Sequence, residues 1–444
     1  MSQRSPMRYL LLTMPLICLG VGSGRASENE DSVLGTIKVD GSAGSVAPLP
    51  KLAVVPLPKD AQDDEIVEEV LRGDLALCGQ FDVLDAAESP KGPFSADGPL
   101  NLVAWQKAGA EYVVRAYAEA KGSSDRQLVG ELYLARSSSG ARAAGKSRAG
   151  KEEPLYHTRV PFTPNARAAS HRLVDLLLGA LTGRPGGFAS RMTFVAPVGR
   201  ERQAFVLDAD GFNLHAASPM GATALSPDFG PGNTLYYGLS TRLSHFRLAT
   251  TAGPVSLQMP GSLMGLAFSP DRKRMVLIAM DGGKSTIYLE SGGKVRPYAH
   301  TPMANHPSFG PAGQIAYVAG EPVQRVYVDQ HPISPPGLMA SSPTFCDTPQ
   351  GPLVFYTVKT KDGSDIVSSY LNGNGLRRLT AKQGENWDPA CSPDGRLLAF
   401  FSTRGHARGV YVMPVARPWL AKKILGNVGT SLRWGPIVGP AVAQ

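Results

Sequence analysis

Reactive side chains are sparse in this chain of 444 residues. It has four cysteines, 18% charged residues, 7% aromatics and eight histidines. Once a leader is removed, three cysteines remain, Cys78, Cys346 and Cys391. An odd number cannot form a closed disulfide framework, so they are expected to fill core volume without an obligatory bridge. No G-x-S-x-G nucleophile elbow and no H-E-x-x-H helix occurs, which removes the usual signatures of a serine hydrolase and a zinc peptidase. His157, His171, His300 and His306 have no Cys or carboxylate at ligand spacing in the sequence, so no metal site is expected. Asp208 and Asp210 sit in Asp208-Ala209-Asp210-Gly211, which lacks the further oxygen ligands of a calcium loop and reads as a hairpin turn. Apart from the first residues, no stretch approaches the ~18 apolar residues that span a bilayer.

The chain begins with Arg4 and Arg8, then an apolar run from Tyr9 to Val21, then small residues around Ala26. That order predicts a secretory signal over residues 1–26 and an exported, periplasmic protein. Cys18 follows bulky Ile17 and not a small residue, which argues against lipidation. Cleavage removes Arg4, Arg8 and Arg25 and no acid, so the formal charge falls from +8 to +5. The excess is concentrated in the Ser/Ala/Gly-rich stretch 136–153, expected to be a solvated loop. Without interleaved aromatic and basic residues, nucleic acid is not an expected partner. Gly140-Ala141-Arg142-Ala143-Ala144-Gly145-Lys146-Ser147 spells the phosphate-loop pattern, but no helix is signalled after it, so it is read as a chance match.

A repeat is abundant where chemistry is scarce. Ser392-Pro393-Asp394-Gly395 followed by apolar Leu397–Phe401 is its clearest copy. Worn copies are read at Leu225-Ser226-Pro227-Asp228, Phe268-Ser269-Pro270-Asp271, Phe309-Gly310-Pro311, Phe345-Cys346-Asp347 and Trp434-Gly435-Pro436. The residues before these turns are separated by 43, 41, 36, 46 and 43 positions, near the ~40–50-residue period of a propeller blade. Proline presets φ, Asp closes the turn with its carboxylate, and Gly accepts positive φ, so each copy makes a hairpin. The expected fold is an α/β amino-terminal domain over 51–188 followed by an all-β, six-bladed propeller of WD40-like repeats over 189–444, with residues 27–50 as a flexible leading segment. In the α/β part the pattern predicts strands Leu52–Leu57 and Phe81–Leu84 around a helix Asp64–Cys78, and a second long helix Ala166–Leu181.

The loops entering the innermost strands converge on the channel and form a candidate partner surface. Their residues are Met220, Gly221, Leu263, Met264, Gly265, Asn305, His306, Ser341, Ser342, Trp387, Asp388, Gly429 and Thr430.

The exported start, the apolar strand from Leu52 to Pro56, Leu181-Thr182-Gly183 ahead of the propeller, and Val206-Leu207-Asp208-Ala209-Asp210-Gly211-Phe212-Asn213 in the first blade together resemble the TolB family of the Tol–Pal system, from about residue 33 to 436. The resemblance implies a monomeric, non-catalytic periplasmic adaptor without cofactor, which links an inner-membrane TolA-like protein to the outer-membrane lipoprotein Pal and supports envelope integrity and cell division. It implies that Thr36, Ile37, Lys38, Val39 and Asp40 form the TolA-binding strand, whose alternation suits addition to a partner sheet, with the tether Gly41–Ala47 behind it. It implies a Pal-binding rim of Ser262, Met264, Gly265, Asn305, His306, Ser342, Trp387 and Asp388. Ser262 replaces the family's usual His. An exported propeller hydrolase, or a glycan- or peptidoglycan-binding propeller, is the alternative reading.

Overall fold

A computed structural model describes residues 48–56, 62–92, 94–95, 98–120, 126–135, 153–242 and 245–439. The segment 36–40 and the phosphate-loop-like stretch 140–147 lie outside the described residues.

The amino-terminal part is one five-stranded sheet with two long helices. The strands are β1 (Lys51–Val54), β2 (Asp82–Val83), β3 (Tyr112–Ala120), β4 (Arg126–Leu134) and β5 (Tyr156–Pro161), in the order β2-β1-β3-β4-β5. β1 runs parallel to β2 and β3, while β3–β4 and β4–β5 are antiparallel. Helix α1 (Gln62–Leu77) begins with Asp63, Asp64 and Glu65 at the positive end of its dipole. Its apolar Val67, Val70, Leu71 and Leu75 recur at helical spacing and are buried. A short helix α2 (Leu102–Lys107) follows the second strand and buries Trp105. Helix α3 (Ala166–Thr182) is capped by Asn165, whose Oδ1 accepts the Ala168 N–H at 2.9 Å, and is ended by Gly183 at φ 77°.

Six four-stranded antiparallel sheets follow, as the repeat predicts. Blades one to five start with strands Thr223–Phe229, Ser262–Phe268, Asn305–Phe309, Ala340–Thr348 and Asn386–Cys391. The sixth sheet pairs the last strand, Thr430–Ile437, with Ser190–Val198, which begins the propeller. Joining the two ends in one sheet closes the ring and leaves only the outermost strand of each blade as an edge. The first strands of neighbouring blades contact one another and therefore surround the axis.

Two sequence expectations are corrected. Ser226-Pro227-Asp228 is not the turn of blade one; it lies inside the strand Thr223–Phe229, and the turn is Gly230–Thr234, closed by Gly230 N–H to Thr234 O at 2.8 Å. Phe345-Cys346-Asp347 and Trp434-Gly435-Pro436, also read as turns, likewise lie inside the strands Ala340–Thr348 and Thr430–Ile437, and the latter pairs with Ser190–Val198 and makes no hairpin. The phase of the other copies then sets Phe229 as the equivalent of Phe268 and Phe309. Cys346 and Cys391, expected to pack without bonding, form a disulfide between blades four and five with Cα atoms 5.4 Å apart. Cys78 is a buried free thiol that burial pushes up to about 12.

One apolar core runs through both parts of the chain. Leu71 and Leu75 of α1 and Leu173 and Leu177 of α3 belong to the same buried cluster as Phe194, Phe401 and Trp434 of the propeller. Among the described residues no helix is long and apolar enough to cross a membrane.

Candidate functional site

Five of the six innermost strands break their ladder at the same phase, at a non-glycine residue with positive φ. These residues are Ser226 (45°), His306 (46°), Ser342 (51°), Asp388 (51°) and Ser431 (58°). The register slips there in each strand, as a β-bulge requires. In four of them the next residue is proline, which has no N–H to lose from the ladder. In blade two Gly265 takes this phase, and a Cβ on it would stand 2.7 Å from Pro307 Cδ of blade three.

Polar groups of this ring bind one another. Ser342 Oγ donates to Asp388 Oδ1 of the next blade, and the Ser431 N–H donates to Asp388 Oδ2 at 2.6 Å. The Leu266 N–H donates to Ser226 Oγ at 3.1 Å. Arg433, in the sixth sheet, reaches blade three directly opposite and donates to Pro307 O at 2.7 Å. Its side chain therefore crosses the axis. Burial lowers the Arg433 pKa, while Asp228 and Asp388 hold its charge. Burial likewise lowers that of His306, more than nearby Asp388 raises it.

The sequence-predicted rim residues divide by exposure. Gly265, Ser342 and Asp388 are buried, the last two in the bonds just described. Ser262, Asn305, His306 and Trp387 are half-buried. The Trp387 indole N–H donates to Gly429 O at 2.9 Å and its ring stacks on Phe401. Ser262 Oγ accepts from the Phe246 N–H at 3.0 Å. Met264 remains open to solvent at 38% exposure. Met220, Met303 and Met339 share its face, at 85%, 41% and 48%.

The opposite face carries the α/β part, and the groups that fasten it were not legible in the sequence. Arg396 of blade five donates to Thr182 Oγ1 (2.5 Å), Arg184 O (2.7 Å) and Pro185 O (2.8 Å), and Arg417 donates to Gly79 O at 2.7 Å. Asp175 on α3 accepts the N–H groups of Phe188 and Ala189, both at 2.8 Å, and burial pushes its carboxyl up to about 7 despite those bonds.

His171, read from sequence as an isolated histidine, is a correction. Its Nδ1 lies 2.6 Å from Asp74 Oδ2 of α1, and its Nε2 lies 3.4 Å from Asp210 Oδ2 in a propeller hairpin. Arg167 also binds Asp210, pairs with Glu69 at 3.1 Å and stacks 3.6 Å over the Phe212 ring. Burial pushes the His171 pKa down, but Asp74 and Asp210 outweigh it and hold the imidazole well above its ordinary value. Burial raises Asp74, and at Asp210 the nearby His171 and Arg167 overcome burial and lower the pKa. Asp74, His171 and Asp210 are close enough to present three ligand atoms to a metal. The guanidinium on Asp210 places a positive charge where the ion would sit, so the cluster fits an ion-paired seam and not a metal centre.

A family model described as the TolB amino-terminal domain matches residues 36–135. The Tol-Pal system protein TolB of Thiobacillus denitrificans is 30% identical over 227 residues, covering 50% of this chain and 48% of that protein. The Tol-Pal system protein TolB of Geobacter sulfurreducens is 29% identical over 167 residues, covering 37% and 35%. The chain spans about half the length or less of these relatives. The crystal structure of TolB from Acinetobacter baumannii superposes with a TM-score of 0.65 at 19% identity, over 87% of this chain and 97% of that one, and so shares its fold.

Proposed function

We propose, from the premise that this chain belongs to the TolB family, that it is a non-catalytic adaptor of a Tol–Pal-like system in the periplasm. Its leading segment binds a TolA-like inner-membrane protein, and the open face of its propeller binds a Pal-like lipoprotein. The observation that carries this reading is the division of the propeller's two faces. One is covered by the α/β part through Arg396, Arg417 and Asp210, and the other exposes large apolar side chains around a channel crossed by Arg433. An exposed apolar rim with bonded polar groups beneath it suits contact with another protein.

The TolA-like contact rests on Thr36–Asp40, whose Ile37 and Val39 alternate with polar residues as an added edge strand requires. Export follows from the signal-like residues 1–26. Deleting residues 27–40 is expected to abolish binding to the carboxy-terminal domain of the cell's TolA-like protein, measured by calorimetry, while the thermal melt stays unchanged. Retained wild-type affinity would refute the assignment. Turnover of peptidoglycan fragments by the purified protein would favour the hydrolase reading instead.

A further inference from the structure

The open face is chemically two-sided. Blades one to four carry Met220, Met264, Met303 and Met339, one per blade. Thioether side chains are unbranched and polarisable, and they adapt to an apolar partner of irregular shape. Met220 is the most exposed of them, yet its loop is fixed: the Gly221 N–H donates to Glu201 Oε2 at 2.9 Å. The remaining part of the face, on blade five and the sixth sheet, is basic. Arg200 and Arg202 stand at the hairpin between strands Ser190–Val198 and Glu201–Asp208, and Arg408 stands in the loop ahead of Gly409–Pro414. All three are exposed, and among the described residues no ion pair reaches them. Glu201, between the first two in sequence, is already engaged by the Gly221 N–H at 2.9 Å, and Glu385, just ahead of the strand Asn386–Cys391, by Lys359 at 3.5 Å.

We infer that the protein docked on this face presents an acidic edge beside an apolar centre, the edge meeting Arg200, Arg202 and Arg408 and the centre meeting the four methionines. The inference rests on the proposed function and adds the chemistry of the partner to it. Unpaired surface arginines chiefly raise the association rate and fix orientation, and their effect is screened by salt. The methionine contacts are apolar and insensitive to salt. Arg433 fills the axis, so the contact is made at the rim and not by a segment threaded through the ring.

The test is calorimetric titration of the mature full chain with the soluble domain of the cell's Pal-like lipoprotein, at low and at physiological salt. The triple variant R200E/R202E/R408E is expected to bind about tenfold or more weakly at low salt and to lose most of the salt dependence. The triple variant M220A/M303A/M339A is expected to weaken binding by a similar factor and keep the wild-type salt dependence. All six positions are exposed, and unchanged thermal melts verify that the variants are folded. Wild-type binding that neither salt nor the arginine reversals alter would overturn the inference and leave the proposed function standing. Absence of wild-type binding, or tighter saturation by peptidoglycan fragments than by the lipoprotein domain, would overturn both.

Discussion

His171 shows how a residue's role can be set by partners distant in sequence. Asp74 is 97 positions away, and Asp210 lies in the propeller, so no local spacing announces the cluster. A base whose folded pKa lies above its ordinary 6.5 contributes stability that is fully present below 6.5 and is lost as pH rises through the folded value. Replacing His171 with Leu leaves Asp74 buried without its counter-charge. The variant is expected to lose about 3 kcal/mol of stability at pH 6, as other broken buried pairs do, and the gap from wild type should narrow as pH rises toward 9. Urea-unfolding curves at several pH values measure this. A gap of constant size would mean that the imidazole is neutral and contributes only packing. The ring residues are a contrasting case. Ser342 and Asp388 were legible as channel-side positions because the repeat fixes their phase, but their bond depends on how blades four and five pack, which the sequence does not announce.

At the scale of elements, hairpins were the most legible features, since each turn needs residues with special backbone freedom. The misreading in blade one has a physical cause. Ser-Pro-Asp suits a turn, but a serine followed by proline also suits the bulge of an innermost strand, and Ser226-Pro227 performs that second role. Gly230 and Pro231, four residues on, make the turn. The disulfide was half legible. Position in adjacent repeats brings Cys346 near Cys391, whereas the odd cysteine count obscured the bond until the structure separated buried Cys78 from the pair. The bridge closes a loop across 45 positions between two blades. Closing a loop of that order restricts the unfolded chain, so the C346S/C391S variant is expected to lose about 2–4 kcal/mol. Its melting temperature should match that of reduced wild type. Equal melts for the oxidised protein and the double-serine variant would show that the bridge contributes no net stability.

The whole molecule depends on how its ends meet. Blades one to five are each made from consecutive strands, but the sixth sheet needs Thr430–Ile437 to return and pair with Ser190–Val198. That strand also completes the core shared with the α/β part. Trp434 packs in the common cluster and its indole N–H donates to Ser190 Oγ at 2.7 Å, while Arg433 reaches across to blade three. Gly435 fits against the Phe229 ring of blade one, where a Cβ would stand 2.5 Å from the ring carbon Cδ2. One strand thus joins the chain ends, the axis, the neighbouring blade and the amino-terminal part. Removing residues 430–444 would expose the edge of Ser190–Val198 and leave Phe194 and Phe401 uncovered. An exposed apolar edge is a template for pairing with other chains. The truncated protein is therefore expected to lose cooperative unfolding and to elute from size-exclusion as aggregate, where the intact chain is expected to elute as monomer. A truncated monomer with the melt of the intact chain would show that the ring does not need its closing strand, and that the α/β part alone holds the blades in place.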